Sequence, residues 1–342
     1  MDQRRFAELA QIAVWYYEDG LSQQEIGERI GKSRSMVSRL LNEVRENNLV
    51  EIRVTYPLTR SKALEQEIID SFGIEDAYIL ANPPRGEAVL TSRMVGRLGA
   101  LCLQRKLKDG LRIGLAWSRT LQHLVTQFPH TELRDGTVVQ LSGSISLGNP
   151  SFDGPELVRQ LATKLGADYR YFPAPLVVKD PSMRNALVED TSLADTMTVA
   201  RSVELALVGI GCIQEDQSTL RNSQLLSQEV ISELLAAGAV GDIMAQQIAA
   251  DGSIIDIPFN HQIVGLSLQD LLNIPTVIAV VSGTGKATAI AAALEGRWVT
   301  TLVTDSVTAE AVLQARGNRS HEGSRRPVPR SVSPSPREVS AT

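Results

Sequence analysis

Apolar positions recur three and four residues apart over residues 3–72, then give way to short apolar runs separated by helical stretches. Residues 3–18 read as a helix with Phe6, Leu9, Ile12, Ala13 and Tyr16 along one side. The pattern from Leu21 to Glu46 predicts a helix-turn-helix. Ser22 and Glu25 have the spacing of a capping box, which satisfies the first free amides of a helix. Ile26 and Ile30 give that helix one apolar stripe. Gly31 supplies the turn, because glycine takes positive φ without a side-chain clash. Ser33 then caps a second helix with Val37, Leu40, Leu41 and Val44 facing inward. Its outer face carries Arg34, Ser35, Ser38 and Arg39. A plain amphipathic hairpin does not need small polar residues where the second helix begins. A helix that enters the major groove does, since its first turn must come close to base edges. Ser33, Arg34, Ser35, Ser38 and Arg39 are therefore the candidate DNA-binding residues.

Val50, Ile52 and Val54 alternate with Glu51, Arg53 and Thr55, so Leu49–Tyr56 reads as a strand of the kind found in a winged domain, ended by Pro57. Arg60 to Phe72 reads as a linker helix with the stripe Leu64, Ile68 and Ile69, a face suited to packing on a second copy, and Gly73 ends it. Beyond Ala77 the strand runs are Ala77–Leu80, Leu111–Ala116, Thr137–Leu141, Leu205–Ile210, Thr276–Val281 and Val299–Thr304. Helical stretches between them include Thr91–Lys106, Gly154–Leu165, Asn222–Leu235 and Ala287–Leu294. This alternation predicts an α/β fold, a mostly parallel, Rossmann-like sheet with helices on both faces. Ligands in such sheets bind beyond the carboxyl ends of the strands. The expected division is a helix-turn-helix domain at 1–57, a linker helix at 58–73, an effector domain at 74–315 and a disordered tail at 316–342, whose Ser, Pro and Arg content cannot build a core.

Composition narrows the function classes. A chain of 342 residues, 43% hydrophobic, can build more than one core. No apolar run is long enough to predict a membrane span, and Met1-Asp2-Gln3-Arg4-Arg5 leads into an amphipathic helix unlike a signal peptide. Cys102 and Cys212 sit among apolar neighbours as small core residues and make no disulfide framework or zinc spacing. A reducing, cytoplasmic setting follows, with no cofactor or metal. The net charge of −5 argues against a wholly basic surface. Locally, Lys32, Arg34, Arg39, Arg45, Arg53 and Arg60 outnumber Glu43, Glu46 and Glu51. That footprint is modest, so an assembly that doubles the phosphate contacts is expected.

The strand ends carry the remaining chemistry. Trp117-Ser118-Arg119-Thr120 runs from a strand straight into a helix, whose free N–H groups suit an anion. An ordinary helix cap fits that segment equally well. Ser142-Gly143-Ser144, Gly211-Cys212 and Ser282-Gly283-Thr284-Gly285-Lys286 follow other strands. The last places a lysine at a helix start beside glycines, although it is not a Walker A loop, which would carry Ser or Thr after the lysine instead of Ala287. Together the loops suit a phosphate-bearing or polyhydroxylated ligand. Asp242 and Asp305 are acidic partners for hydroxyls, with a helix-capping role favoured for Asp305.

With these residues in hand, the chain resembles the SorC family of sugar-sensing bacterial transcriptional regulators, also called DeoR-type. The resemblance runs from residue 5 to about 315. It is carried by Leu21–Leu41 and by an ordered string of motifs: Gly114–Leu121, Val139–Ser144, Ala206–Gly211, Gly238–Ile243, Ala250–Gly252, Lys286–Ile290 and Thr304-Asp305. Ser118 stands where many members carry glycine. The resemblance implies an effector domain related to sugar-phosphate isomerases but used as a sensor. It also implies a phosphorylated sugar as effector and a dimer of dimers on palindromic operator DNA. By position, Trp117, Ser118, Arg119 and Thr120 would hold the phosphate with Lys286 as counter-charge. Gln140, Ser142, Gly143, Ser144, Gly211 and Asp242 complete the expected effector site.

The competing function is a sugar-phosphate isomerase or deaminase fused to a DNA-binding domain. That chemistry needs a carboxylate base and often a histidine that opens the ring. His123 falls on the helix after the Trp117 loop, His321 falls in the tail, and neither these nor His130 and His261 sit in a strand-end loop beside an acid. An architectural DNA-binding protein is the third reading, and the gathered glycine loops argue against it.

Overall fold

The computed structural model describes residues 3–47, 49–50, 57–145, 153–213, 218–222 and 225–323. The chain forms two compact units, Met1–Pro57 and Leu58–Thr342. The first is built from α1 (Gln3–Tyr17), α2 (Gln23–Ile30) and α3 (Arg34–Glu46). Ser22 accepts the Glu25 N–H and the Glu25 carboxylate accepts the Ser22 N–H, so the capping box is formed. Gly31 ends α2 at φ 66°, and Ser33 caps α3 by accepting the Met36 N–H. Leu9, Ile12, Ala13, Ile26, Val37, Leu40, Leu41 and Val44 form one buried cluster. Phe6, expected on the inward side of α1, is 49% exposed, off the stripe of Leu9, Ile12 and Ala13 that the core covers. The Arg5 guanidinium bridges Glu8 and Glu43 and so ties α1 to α3. The strand expected at Leu49–Tyr56 falls largely outside the described residues.

The second unit opens with α4 (Lys62–Phe72), which Gly73 ends at φ 66°, then β1 (Asp76–Leu80), α5 (Ala88–Lys106), β2 (Arg112–Leu115), α6 (Arg119–Gln127) and β3 (Thr137–Gln140). It continues with α7 (Gly154–Leu165), β4 (Asp168–Arg170), α8 (Pro181–Glu189), α9 (Thr191–Arg201), β5 (Leu205–Val208) and β6 (Gly211–Cys212). Next come α10 (Thr219–Asn222), α11 (Gln228–Ala236), β7 (Ala239–Ile243), β8 (Gln246–Ala249), α12 (Pro258–His261) and α13 (Leu268–Leu271). The chain then runs through β9 (Thr276–Val280), α14 (Ala287–Glu295), β10 (Thr301–Asp305) and α15 (Ser306–Gly323).

Seven strands pair in the order β1-β10-β9-β5-β2-β3-β4, every neighbour parallel. Except for the exposed edge strand β4, the strands are apolar and buried along most of their length, as a sheet covered on both faces requires. From β2 the chain steps outward to β3 and β4, then returns to place β5 on the other side of β2. The topological switch point therefore lies between the carboxyl ends of β2 and β5.

Three expectations need correction. Gly211-Cys212 is not a strand-end loop: it is strand β6 of a separate antiparallel sheet, β6-β7-β8, which continuous apolar runs do not reveal. Asn222–Leu235 is not one helix, since α10 ends where it begins and α11 starts at Gln228, capped by Ser227. The tail is not unstructured from residue 316, because α15 runs on to Gly323. Arg316 bonds Glu295 at 2.9 Å and lies over the Phe72 ring, which holds this part of the helix against α14 and α4. Residues 324–342 are outside the described residues. The linker helix α4 spends its buried face inside this unit: Ile68 is fully buried, and the Glu65 carboxylate takes the Ile79 N–H and the Arg60 guanidinium.

Candidate effector cleft and nucleic-acid face

A cleft of about 930 Å³ opens at the switch point. Its floor is the segment after β2, Trp117 to Thr120, and the segment after β5, Gly209 to Gly211. The ends of β9 and β10 supply Ser282, Gly283, Thr284 and Asp305, and the loop after β1 closes one side with Pro83 to Glu87. Two helices, α6 and α14, begin at this cleft. The Ser118 hydroxyl caps α6 by accepting the Leu121 N–H at 3.0 Å, and among the described residues the Arg119 and Thr120 amides make no hydrogen bond. Gly209 allows this arrangement, because a Cβ there would stand 2.7 Å from the Ser118 Cβ. The first helical turn thus presents open N–H groups and the positive end of a dipole to the cleft, with the Arg119 side chain exposed beside them. Thr120 is buried, with its hydroxyl 3.3 Å from that of Ser92 on α5.

Lys286 precedes α14, which has no side-chain cap. Burial lowers its pKa, and the Arg119 charge lowers it further, while Cys212 and Asp242 act in the opposite sense. Asp242 is buried on β7, and burial pushes its carboxyl up to about 6, against the opposing pull of the Ala245 N–H and the Lys286 charge. Gly211 and Gly241 are there for space: a side chain at Gly211 would collide with the Asp242 carboxylate, and one at Gly241 with the Gly211 carbonyl and Ala289. Asp242 accepts the Ala245 N–H at 3.1 Å across the β7–β8 turn. In that turn Met244 and Ala245 both have positive φ, at 51° and 68°. Such strain in non-glycine residues persists only where the surroundings enforce it, and Met244 lines the cleft.

The cleft brings together Trp117, Ser118, Arg119, Thr120, Gly211, Asp242 and Lys286 of the expected site. It does not include Gln140, Ser142, Gly143 and Ser144. Gln140 ends β3 and the other three follow it, on the far side of β2 from the switch point. Gln140 is buried and acts as a brace: its amide donates to the Ser142 carbonyl and the Ser144 hydroxyl, and its oxygen takes the Phe172 N–H. Ser142 is buried, and Gly143 lies so close to the Pro175 carbonyl that a side chain has no room. Asp305 lines the cleft but also caps α15, accepting the Thr308 N–H at 2.9 Å and the Thr308 hydroxyl at 2.7 Å.

Several lining residues escaped the sequence reading. Arg85 and Glu87 sit in the loop after β1, where nothing local distinguishes them from solvated charges. His123 lies on α6, one turn into the helix, with its pKa lowered by burial and by the Arg93 charge. His261 does have an acidic partner, Asp256 at 2.7 Å, but the pair is exposed and away from this cleft.

In the first unit, Ser33, Arg34, Ser35 and Arg39 are exposed on α3, and Ser38 is partly exposed. Met36 is 41% exposed on the same helix, an apolar surface residue on an otherwise polar turn. Arg45 is engaged, donating to the Tyr17 hydroxyl at 2.9 Å. Among the described residues no group of side chains could hold a metal ion, and no helix is long and apolar enough to cross a membrane.

A parallel sheet with an anion-suited cleft at its switch point, preceded by a capped helix-turn-helix, defines a regulator with a sugar-binding domain. Residues 56–314 match the family described as a sugar-binding domain, and residues 8–47 match region 4 of sigma-70, a helix-turn-helix. The chain belongs to this family, that of the SorC-type regulators. It is 31% identical to the transcriptional regulator LsrR of Enterobacter sp. (strain 638), covering 90% of this chain and 93% of that one. It is 28% identical to the deoxyribonucleoside regulator of Bacillus subtilis (strain 168), over 92% and 99% of the two chains. Among solved structures, the full-length sorbitol operon regulator SorC of Klebsiella pneumoniae aligns with a TM-score of 0.68 at 26% identity, over 91% of this chain and all of that one.

Proposed function

We propose that this protein is a cytoplasmic transcription regulator that reads operator DNA with α3 and is controlled by a phosphorylated sugar bound in the cleft. The observation that carries the reading is the convergence of two helix starts on one cleft, with Arg119 and Lys286 as cations and Asp242 as a buried acceptor. The phosphate sits against the Arg119 and Thr120 amides, with Lys286 as counter-charge. Ser118 holds that turn in place, Trp117 forms an apolar wall, and Gly211 keeps the backbone clear of Asp242, which takes a sugar hydroxyl. On DNA, Arg34 and Arg39 reach guanine edges, Ser33, Ser35 and Ser38 contact phosphates or bases, and Met36 meets a thymine methyl group. The protein acts as a homo-oligomer, a dimer of dimers, on palindromic sites of a carbohydrate-utilisation operon.

The relatives are named as regulators, and among the described residues the cleft's His123 has no carboxylate hydrogen-bonded to it, which supports a sensor over an isomerase. To act as a switch, the effector must favour one DNA-binding state by about 1–3 kcal/mol. A thermal-shift screen of sugar phosphates against their unphosphorylated parents, followed by operator gel shifts with each hit, tests this. The expected result is a melting shift only with the phosphorylated forms, and a change in operator affinity with the same compounds. Equal shifts by the parent sugars would remove the phosphate from the reading, and turnover of a hit would favour the enzyme.

A further inference from the structure

The seven-stranded sheet ends at β4, whose three residues, Asp168, Tyr169 and Arg170, are all exposed. The Asp168 N–H donates to the Gly136 carbonyl at 3.0 Å, so Asp168 and Arg170 turn their backbone groups toward β3. Tyr169 and Tyr171 turn theirs outward, and among the described residues neither N–H has a backbone partner. Their rings lie on one face of the strand, 6.2 Å apart and 25° from parallel, and the two residues are 42% and 51% exposed. A bare sheet edge with apolar rings along it is a template for pairing with another segment, and folded proteins cover such edges.

We propose that this chain's own segment Ser333-Pro334-Ser335-Pro336-Arg337 covers that edge as a further strand, parallel to β4, with Ser335 opposite Arg170. The proline spacing fits an edge. Alternate residues of a strand turn their N–H groups the same way, so with Ser335 facing β4 both prolines face solvent, where a missing N–H breaks no ladder bond. The Ser335 N–H donates to the Tyr169 carbonyl, and the Ser335 carbonyl accepts the Tyr171 N–H. The Tyr169 carbonyl can take this bond as well as the Arg170 guanidinium, which donates to it at 3.1 Å, because it has two lone pairs. Residues directly opposite share a face, so Pro334 lies beside the Tyr169 ring and Pro336 beside the Tyr171 ring.

Pro327-Val328-Pro329 has the same proline spacing, and reach decides between the two. Arg316 lies over Phe72, shortly before β1, so α15 leads to the amino ends of the strands at the β1–β10 side of the sheet. A segment arriving from there runs parallel to β4. From β10 to β4 is five strand steps, about 24 Å at about 4.8 Å each. The chain from Gly323 spans at most about 14 Å to Pro327 and about 36 Å to Pro334. Charge agrees with the placement. Glu132, Asp135 and Asp168 are exposed at the amino ends of β3 and β4, with Arg134 there engaged by Asp109. The approaching segment carries Arg325, Arg326 and Arg330 and no acid between them.

Disulfide trapping in the full-length chain tests the register. Cys102 and Cys212 are both buried, so the native thiols do not compete. Arg170→Cys combined with Ser335→Cys should close a disulfide within one chain under copper–phenanthroline oxidation, read by peptide mapping of the monomer band. Arg170→Cys with Val328→Cys should close at least ten-fold more slowly. Adding Tyr169→Ser and Tyr171→Ser to the first pair should slow closure about ten-fold while the circular dichroism spectrum stays that of the folded chain. In the unaltered chain, the Ser335 amide should exchange with deuterium about ten-fold more slowly than the Val328 amide. Equal closure at Val328→Cys, or closure indifferent to loss of the two tyrosines, would overturn the proposal. A disulfide formed only between two chains would overturn it too, since the occupant would then come from another copy, as would equal exchange at Ser335 and Val328.

Discussion

Asp242 shows most clearly how burial and chemistry compete at a single position. Its carboxyl titrates at about 6 in the folded chain against an ordinary 3.8. As pH rises, the unfolded chain gives up its proton first, so the folded state loses stability between those two values and carries the full cost above them. A shift of this size corresponds to about 3 kcal/mol. Asp242→Asn keeps an oxygen for the Ala245 N–H and removes the buried charge. We expect its denaturant midpoint at pH 7 to rise, and its stability to vary less between about pH 4 and 6. A midpoint that falls at pH 7 would mean that the charge is more than compensated where it sits. Affinity for the effector should drop in the same variant, which would separate a binding role from a folding one. The shift was not legible in the sequence, where Asp242 read as an acidic partner for sugar hydroxyls. The shift needs the burial that β6 and α14 impose. Gln140 is the converse case: beside Ser142-Gly143-Ser144 it has the composition of a binding loop, yet its amide is used up in bracing its own turn.

Among the elements, those with local signals were read almost to the residue. Ser22, Glu25, Gly31 and Ser33 act through neighbours three or four positions away, and each does in the fold what its spacing implies. The same holds for α7, with Gly166 ending it at φ 60°. The β6-β7-β8 sheet and α8, α9, α12 and α13 were missed, because short elements depend on partners distant in the chain. The α5–α6 contact is of this kind, and it supports the cleft. A Cβ at Gly96 would lie 2.5 Å from the His123 Cβ and 2.9 Å from the Leu124 nitrogen, so the two helices meet where α5 has no side chain. Gly96→Ala gains helix propensity of about 1 kcal/mol but must displace backbone, which costs roughly 1–3 kcal/mol. The expected outcome is a net loss of stability together with weaker effector binding, because α6 carries the Arg119 and Thr120 amides. A more stable variant with normal binding would show that α6 shifts without consequence.

The whole molecule consists of two units with separate cores, one behind α3 and one around the sheet. Their two tasks should therefore come apart under mutation. Arg34→Ala and Arg39→Ala should each weaken operator binding by about 1–3 kcal/mol and leave the effector-induced melting shift intact. Lys286→Ala should bind operator normally and lose most of the effector response. Gel shifts and melting curves on the same preparations check both directions, and loss of both activities in any one variant would argue against separable units.

The amino-acid sequence by itself determined the helix-turn-helix, the strand–helix alternation and the family, since each rests on periodicity, caps and ordered motifs that act over a few residues. Tertiary structure decided which loops share a cleft. Strand order places the ends of β2, β5, β9 and β10 beside one another and leaves the end of β3 outside, and strand order is set by packing between segments far apart in the chain. It also decided which half of the α1 apolar arc the core would cover, and so left Phe6 and Val14 exposed.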